Sequence, residues 1–297
     1  VEMILFVLTK ILVQNGDKVL VGNPSYFAAN MIFQQLGAHL CTVPVDGEGM
    51  NADYSEKNFK KGDIRMLYLS PLNHYPTSVT TSFERRKKLL ELADQLDFII
   101  VEEDVDYEFF YEKEFHLPLI KEDSNGRVLT IGSIGRSLAP TFRTGYLIAN
   151  SAVVYEAHKY LSILDRQGDV IMEQALGELI ESGEMTRLSK KATKIYRDRR
   201  NKMVIALNDY LGEWVDFKVP TGGLAVWITF KKPISLTKLT QKCRENDLFI
   251  PRTCLYQNRD ITAMRLGFGH LSHSEMIEAV QILQSCAIFI NRESANS

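Results

Sequence analysis

The sequence predicts an α/β protein, with a large domain built on a mostly parallel sheet and a smaller α+β domain at the C-terminal end. Two observations predict this class. Short apolar segments alternate with helical segments through the first half of the chain, as in doubly wound sheets. Later in the chain the pattern changes to polar-flanked strands and one closing helix. We therefore predict a large domain at residues 1–180, a small domain at 181–290 and a tail at 291–297.

The elements predicted for the large domain follow in chain order. An apolar helix at Val1–Val13 comes first, and its uncapped start suggests that further sequence precedes it. The predicted strands are continuous apolar runs, typical of parallel strands that are buried on both faces. They are expected at residues 18–21, 39–43, 66–70, 98–101 and 128–131, with helices at 27–36, 82–95 and 151–180. Four basic residues of the second of these helices, Arg85 to Lys88, are predicted to face solvent.

The small domain is predicted to begin with a charged helix at about 185–211. Strands are expected at 216–219, 225–230 and 263–267, and a helix at 274–286 closes the domain. The order of these elements indicates an α+β unit rather than a continuation of the parallel sheet.

Charge and cysteine content exclude several functions. The formal net charge is -2, so this chain has no electrostatic case for binding DNA by itself. The cysteines, Cys41, Cys243, Cys254 and Cys286, share no CxxC spacing, so neither a metal nor a redox site is predicted. Unpaired cysteines suggest a reducing, cytoplasmic compartment. The apolar runs are too short to cross a membrane, so no membrane partner is expected.

Ligands of open α/β sheets bind beyond the carboxyl ends of the strands. The first segment in such a position, Ser70–Ser78, contains Asn73, His74 and Tyr75 between two prolines. A plain turn is the alternative for this segment, and a lone histidine is more often structural than catalytic.

The second segment carries five carboxylates within the seven residues 102–108, directly after a buried strand. A solvated acidic loop is one interpretation. The other is that a carboxylate at the strand end faces a buried cation, either a metal ion or a protonated pyridine nitrogen.

The third segment, Gly132–Tyr146, places Arg136 and Arg143 among small residues after another strand. Guanidinium groups and backbone N–H groups both favour a phosphate or carboxylate. A surface loop with solvated arginines is about equally compatible with the spacing.

Together these segments resemble the aminotransferase-like domain of the MocR-type transcriptional regulators, a subfamily of the GntR family. Further matches are Pro-Thr-Gly-Gly-Leu at 220–224 and Arg-Leu-Gly-Phe at 265–268, and the resemblance covers nearly the whole chain. It implies the fold of the fold-type I, pyridoxal phosphate (PLP)-dependent class I/II aminotransferases and a homodimer. It also implies a winged helix-turn-helix domain upstream of Val1, through which alone DNA would be bound.

The resemblance also implies roles for individual residues. The family's Schiff-base lysine falls on Arg136, the aspartate that pairs with the pyridine nitrogen on Glu103, and the neighbouring tyrosine on Val105. Arg265 falls on the arginine that binds the substrate carboxylate. The positions implied to bind the cofactor are Glu103, Val105, Ser133, Arg136, Arg143, Asn73, His74 and Tyr75.

Several changes at the cofactor positions, Arg136 together with Glu103 and Val105, determine the functional expectation. A guanidinium stays protonated, with a pKa above ~12, so it offers no nucleophilic amine near pH 7. We therefore expect no catalytic residue, no transaminase activity, and PLP that is bound noncovalently at most or not at all. The expected function is effector sensing and dimerisation in a regulator, with a small anionic ligand such as an amino acid or a phosphorylated cofactor. The alternatives are a PLP-dependent aminotransferase, active or inactivated by an engineered Lys-to-Arg change, and a purely structural dimerisation domain.

Overall fold

The structure is a computed structural model that describes residues 1–104, 106–112, 117–134, 144–164 and 168–295, with side chains described up to residue 292. Contacts divide the chain into two units, Val1–Lys191 and Ala192–Ser297. The predicted domain boundary follows residue 180, whereas the division by contacts lies inside the next helix.

The first unit contains most of the α/β alternation. Its elements are α1 (Glu2–Leu12), β1 (Lys18–Asn23), α2 (Phe27–Gln35), β2 (His39–Asp46), β3 (Gly49–Met50), α3 (Ala52–Asn58), β4 (Met66–Leu69), α4 (Phe83–Leu96), β5 (Ile99–Asp104), β6 (Val128–Ile134), β7 (Thr144–Ile148), α5 (Ser151–Ile163) and α6 (Val170–Glu181). The 28-residue helix α7 (Glu184–Leu211) begins in this unit and ends in the second.

The sheet of the first unit has the strand order β3-β2-β1-β4-β5-β6-β7. Strands β2, β1, β4, β5 and β6 run parallel, while β3 and β7 are antiparallel edge strands. The prediction of a mostly parallel α/β sheet is confirmed.

Side chains of the central strands alternate between two buried cores. Tyr68 and Val101 pack with Leu8 and Phe33 of α1 and α2 on one face. On the other face, the neighbouring strand residues pack with α4. Burying one large apolar side chain contributes about 1.5–3 kcal/mol, so both faces are strongly specified. Because successive side chains of a strand point to opposite faces, two polar residues that are adjacent in a strand lie in different environments.

One helix predicted over 151–180 is instead two. The prediction is wrong because Gly168 has a φ of 93°, which no helix accommodates, and Asp169 then caps a new helix. The Asp169 carboxylate accepts a hydrogen bond from the Met172 backbone N–H at 3.1 Å.

The basic face predicted for α4 is also wrong at one position. Arg86 is only 1% exposed because it lies on the same helix face as Leu89 and Ala93, which are fully buried. Its Nη2 donates to the Leu117 carbonyl, and the carboxylate of Glu122 lies 3.7 Å away.

The second unit is an α+β arrangement. Its elements after α7 are β8 (Val215–Phe217), β9 (Ala225–Phe230), α8 (Leu236–Arg244), β10 (Leu255–Gln257), β11 (Thr262–Gly267) and α9 (His273–Ala295). The strands form an antiparallel sheet in the order β10-β11-β9-β8. Throughout the part of the chain that the structure describes, no helix combines the length and apolarity needed to span a membrane.

Candidate active site

Strands β4, β5 and β6 are neighbours in the parallel sheet, so their carboxyl ends meet at one edge. The loop that contains Asn73, His74 and Tyr75 follows β4, the acidic segment ends β5, and Ser133 lies near the end of β6. The fold therefore brings three of the predicted segments to one place, as the topology of such sheets requires.

Glu103 is one of three buried carboxylates at this edge, with Glu102 and Asp104. It is 8% exposed and accepts a hydrogen bond from the Tyr68 hydroxyl of the adjacent strand. Both side chains lie on the face that packs against α1 and α2, because Glu103 follows Val101 by two residues. The interpretation of residues 102–104 as a solvated loop is wrong, since β5 continues through them.

Glu102 and Asp104 lie on the opposite face of β5. Glu102 is fully buried and accepts hydrogen bonds from the Leu119 N–H at 2.8 Å and the Thr130 hydroxyl at 3.0 Å. Burial raises the pKa of Glu102, and these hydrogen bonds and the nearby Arg86 oppose the rise. This carboxylate ties β5 to β6 and to the segment after Pro118, which is a structural role.

Asp104 has the most strongly perturbed carboxyl group at the strand end. Its pKa is raised to about 8, first by burial and then by the negative charges of Glu102, Asp106 and Glu103, while Arg86 lowers it. The group is thus protonated at neutral pH and loses its proton in mildly basic solution.

His74 has a structural position rather than a catalytic one. It is 5% exposed, and its Nε2 lies 2.9 Å from the Pro24 carbonyl, which joins the end of β1 to the loop after β4. Burial lowers the pKa of His74, so the neutral ring donates to that carbonyl. A Cβ on Gly22 would lie 2.7 Å from the His74 ring, so the glycine is needed for this contact.

Two other residues predicted to bind a cofactor present buried oxygens. Asn73 Oδ1 and Ser133 Oγ are buried and have no hydrogen-bond partner among the described residues. An unsatisfied buried polar atom is costly, and a ligand that supplies the missing partner removes the cost. Tyr75 stacks edge-on against Tyr26, with ring centroids 5.0 Å apart.

Ser78 closes the loop after β4 in a left-handed conformation, with a φ of 58°. Glycine adopts such a φ without steric cost, whereas serine rarely does. The loop thus has a glycine-type backbone at a serine.

Three predicted site residues lie outside the described residues: Val105, Arg136 and Arg143. Arg265 is described, on β11 of the second unit, where its cross-strand neighbour is Trp227 of β9. The predicted convergence of Arg136, Arg143 and Arg265 in one cleft stays a prediction.

Sequence reasoning missed Tyr68 and Tyr26 as site residues. The signal for Tyr68 was a hydroxyl within the apolar strand Met-Leu-Tyr-Leu, in register with β5. The Tyr26 hydroxyl donates to Glu2 at 3.0 Å, and burial and the charges of Glu2 and Glu103 raise its pKa.

Fold and site together define an α/β ligand-binding protein whose site lies at the carboxyl edge of a mostly parallel sheet. Among the residues that the structure describes, no group of three or more potential ligands could hold a metal ion. A buried carboxylate and unsatisfied hydroxyl and amide oxygens are instead suited to an organic ligand with a cationic ring nitrogen and hydrogen-bonding groups.

The chain belongs to the class I and II aminotransferase family, whose model matches residues 2–284. It is 29% identical over 281 residues to aromatic-amino-acid aminotransferase 1 of Thermococcus litoralis, covering 92% of this chain and 67% of that protein. It is 28% identical over 280 residues to the 2-aminoadipate transaminase of Thermus thermophilus, covering 92% of this chain and 70% of the relative.

A third relative is named as a transcriptional regulator rather than as an aminotransferase. The uncharacterized HTH-type transcriptional regulator YisV of Bacillus subtilis is 24% identical over 265 residues. These cover 89% of this chain and 55% of the regulator, so the chain spans little more than half of that protein.

Solved structures show the same fold over almost the whole chain. The multiple substrate aminotransferase of Thermococcus profundus is similar with a TM-score of 0.90 at 26% identity, covering 98% of this chain and 74% of the other. The kynurenine aminotransferase of Pyrococcus horikoshii, solved in complex with PMP, gives 0.91 at 26% identity, covering 97% and 73%. The predicted fold-type I architecture is confirmed.

The interpretation as a regulatory domain without enzymatic activity is wrong. The relatives and solved structures that match over nearly the whole chain include named aminotransferases, which favours the alternative, an enzyme. The error came from weighing a few departures from the family, at Arg136, Glu103 and Val105, above the fold and the motifs that the chain keeps. The expectation of PLP bound noncovalently at most, or not at all, has no support in these comparisons. The cofactor of this family is PLP.

Proposed function

We propose that this chain carries the site of a PLP-dependent aminotransferase that exchanges an amino group between an α-amino acid and a 2-oxo acid. The observation that carries the proposal is the buried Glu103 carboxylate at the carboxyl edge of the sheet, together with the buried Ser133 hydroxyl, which has no hydrogen-bond partner among the described residues. A buried carboxylate is stabilised by a cation, and a protonated ring nitrogen is the cation that this family's cofactor provides.

The described residues fit such a cofactor. Glu103 would accept a hydrogen bond from the ring nitrogen, and the Tyr68 hydroxyl fixes the orientation of that carboxylate. Among the described residues, Ser133 Oγ and Asn73 Oδ1 have no hydrogen-bond partner, so the serine hydroxyl could donate to a phosphate and the amide oxygen could accept a hydrogen bond. Bound PLP would supply the electron sink that makes the substrate Cα–H bond acidic. Glu103 is one methylene longer than the aspartate that the resemblance implies at this position.

Arg265 is the proposed partner of the substrate α-carboxylate, by the resemblance at Arg-Leu-Gly-Phe. A guanidinium binds a carboxylate in a bidentate manner and so fixes its orientation. The names of two relatives direct the choice of amino donors, and aromatic amino acids and 2-aminoadipate are the substrates that we propose first.

Position 136 controls the rate under this proposal. Transamination needs a residue that moves a proton, and an arginine that stays protonated cannot accept one near pH 7. A lysine amine at this position can do so once its pKa is lowered. The wild-type chain is therefore expected to be slow, and Arg136→Lys to be faster by at least about 10²-fold, within the range of general acid–base catalysis.

The test compares wild type, Arg136→Lys and the matched control Arg136→Gln, which removes the charge without supplying an amine. Each protein is mixed with PLP, one amino donor and 2-oxoglutarate, and the glutamate formed is measured. The lysine variant should exceed both others, and Glu103→Gln in that background should reduce its turnover. A lysine variant that binds PLP, by absorbance, yet transfers no amino group from any donor would refute the proposal.

The subfamily, the ligand, the oligomeric state and the cellular location of this protein are also proposals. Relatives named HTH-type regulators support a kinship with the MocR subfamily, which concerns descent of the domain rather than its activity. We propose that the small anionic ligand expected from the sequence is the amino acid substrate. The homodimer and the cytoplasmic location stay predictions.

A further inference from the structure

Two cysteines that are 43 positions apart in the sequence meet in the second unit. Cys243 lies in the last turn of α8 and is fully buried, and Cys286 lies in α9 and is 3% exposed. Their side chains interact with each other. Nothing in their sequence spacing indicates this proximity, which the packing of α8 on α9 creates.

Contacts on either side of the two cysteines establish that they are neighbours. The Asn246 backbone N–H donates to the Cys243 carbonyl at 3.0 Å, and its side-chain Nδ2 lies 3.9 Å from Cys286 Sγ. Lys242, next to Cys243, places its Nζ 4.6 Å from the centroid of the Phe289 ring, one helical turn beyond Cys286. These contacts hold the two helices in register at the thiols.

We propose that Cys243 and Cys286 are an oxidisable thiol pair, which hydrogen peroxide converts into a disulfide that joins α8 to α9. In the first step one thiol sulfur attacks the peroxide, the O–O bond breaks, and a sulfenic acid and one water are formed. In the second step the other thiol attacks the sulfenic sulfur, the S–S bond forms, and the hydroxyl leaves as a second water. Two thiols and one hydrogen peroxide thus give one disulfide and two waters.

The surroundings make this reaction slow rather than impossible. Burial raises the pKa of the Cys243 thiol to about 12, and the adjacent Cys286 adds to the rise. The reactive thiolate is therefore scarce at pH 7, and oxidation is expected over minutes to hours. Once formed, the disulfide closes a long loop that includes β10 and β11, so it restrains the unfolded chain.

The experiment uses the full chain treated with hydrogen peroxide and then with a thiol-alkylating reagent under denaturing conditions. The background is Cys41→Ser/Cys254→Ser, which removes the two partly exposed cysteines and leaves the pair. We expect the loss of two alkylation sites, a mass lower by two hydrogen atoms, and a linked 243–286 peptide under non-reducing digestion. The unfolding midpoint should rise by at least about 5 °C and return after reduction.

Cys243→Ala in the same background is the matched control, and it should show no rise in the midpoint after peroxide. The proposal is overturned if both thiols remain fully alkylatable after prolonged peroxide treatment of the native protein. It is also overturned if the linkage appears only between molecules, or only when the protein is oxidised in denaturant. None of these outcomes depends on aminotransferase activity, so this proposal and the proposed function fail separately.

Discussion

Replacing Asp104 by asparagine should stabilise the protein at pH 8 and leave it nearly unchanged at pH 5. The folded state raises the pKa of Asp104 from 3.8 to about 8, so the folded state holds this proton more tightly than the unfolded chain does. Stability therefore falls as pH rises from about 4 to 8, because the unfolded chain releases the proton first. Asparagine has no carboxyl proton, so the stability of the variant does not fall with pH for this reason.

The magnitude follows from the same shift. At about 1.4 kcal/mol per pKa unit, the rise sets an upper limit of about 6 kcal/mol, and relaxation of the buried site reduces it to roughly 1–3 kcal/mol. At about 2–4 °C per kcal/mol, this free energy corresponds to a rise of about 2–12 °C in the thermal unfolding midpoint at pH 8.

The assay is urea unfolding of wild type and Asp104→Asn at pH 5, 7 and 8.5. Glu91→Gln serves as a control because Glu91 is exposed on α4. A wild-type stability that is flat over this pH range would refute the reasoning. An asparagine variant that is equally destabilised at every pH would do so as well, because the carboxyl would then act through its shape and hydrogen bonds.

Two further predictions concern backbone positions. Gly132→Ala should lower the free energy of unfolding by more than about 2 kcal/mol, because the added Cβ would overlap the Tyr146 ring. Gly177→Ala should raise it by about 0.5–1 kcal/mol, because Gly177 lies inside α6 with open space around it. Equal effects of these two changes in urea unfolding would contradict the close packing of Tyr146 on Gly132. Ser78→Gly should relieve the left-handed strain and leave stability unchanged or raised by up to about 1 kcal/mol, and a clear loss would show that the serine side chain stabilises the loop.

Much of the fold could be predicted because the central strands are continuous apolar runs. The strand Ala225–Phe230 was predicted with its observed bounds, and the strand at 128–131 was placed correctly but ends later, at Ile134. The short elements β3, α3 and β10 were missed, since two to seven residues carry too little periodicity. The antiparallel strand β7 was also missed, because sequence pattern does not encode strand direction.

The site was predictable only in part. The positions after strands indicated the acidic segment and the segment of Ser133, and only the resemblance singled out Glu103 and Ser133. The partner Tyr68 requires knowledge of which strands are neighbours. Arg86 and Glu102 are charged, and sequence reasoning places charge at the surface unless a partner is visible. The aminotransferase was named only as the alternative, because several changed residues at the cofactor positions were taken as loss of the reaction.

Successive side chains of β5 point to opposite sides of the sheet, which separates the residues that face the proposed site from the charged residues behind it. Glu103 faces the side proposed to contact a cofactor, while Asp104, the next residue, belongs to the opposite side of the sheet. Under the proposed function, changing Asp104 or Arg86 alters the electrostatic potential behind Glu103 while every side chain on the cofactor-facing side of β5 stays the same. The charge behind the proposed site and the residues that line it can therefore be varied separately.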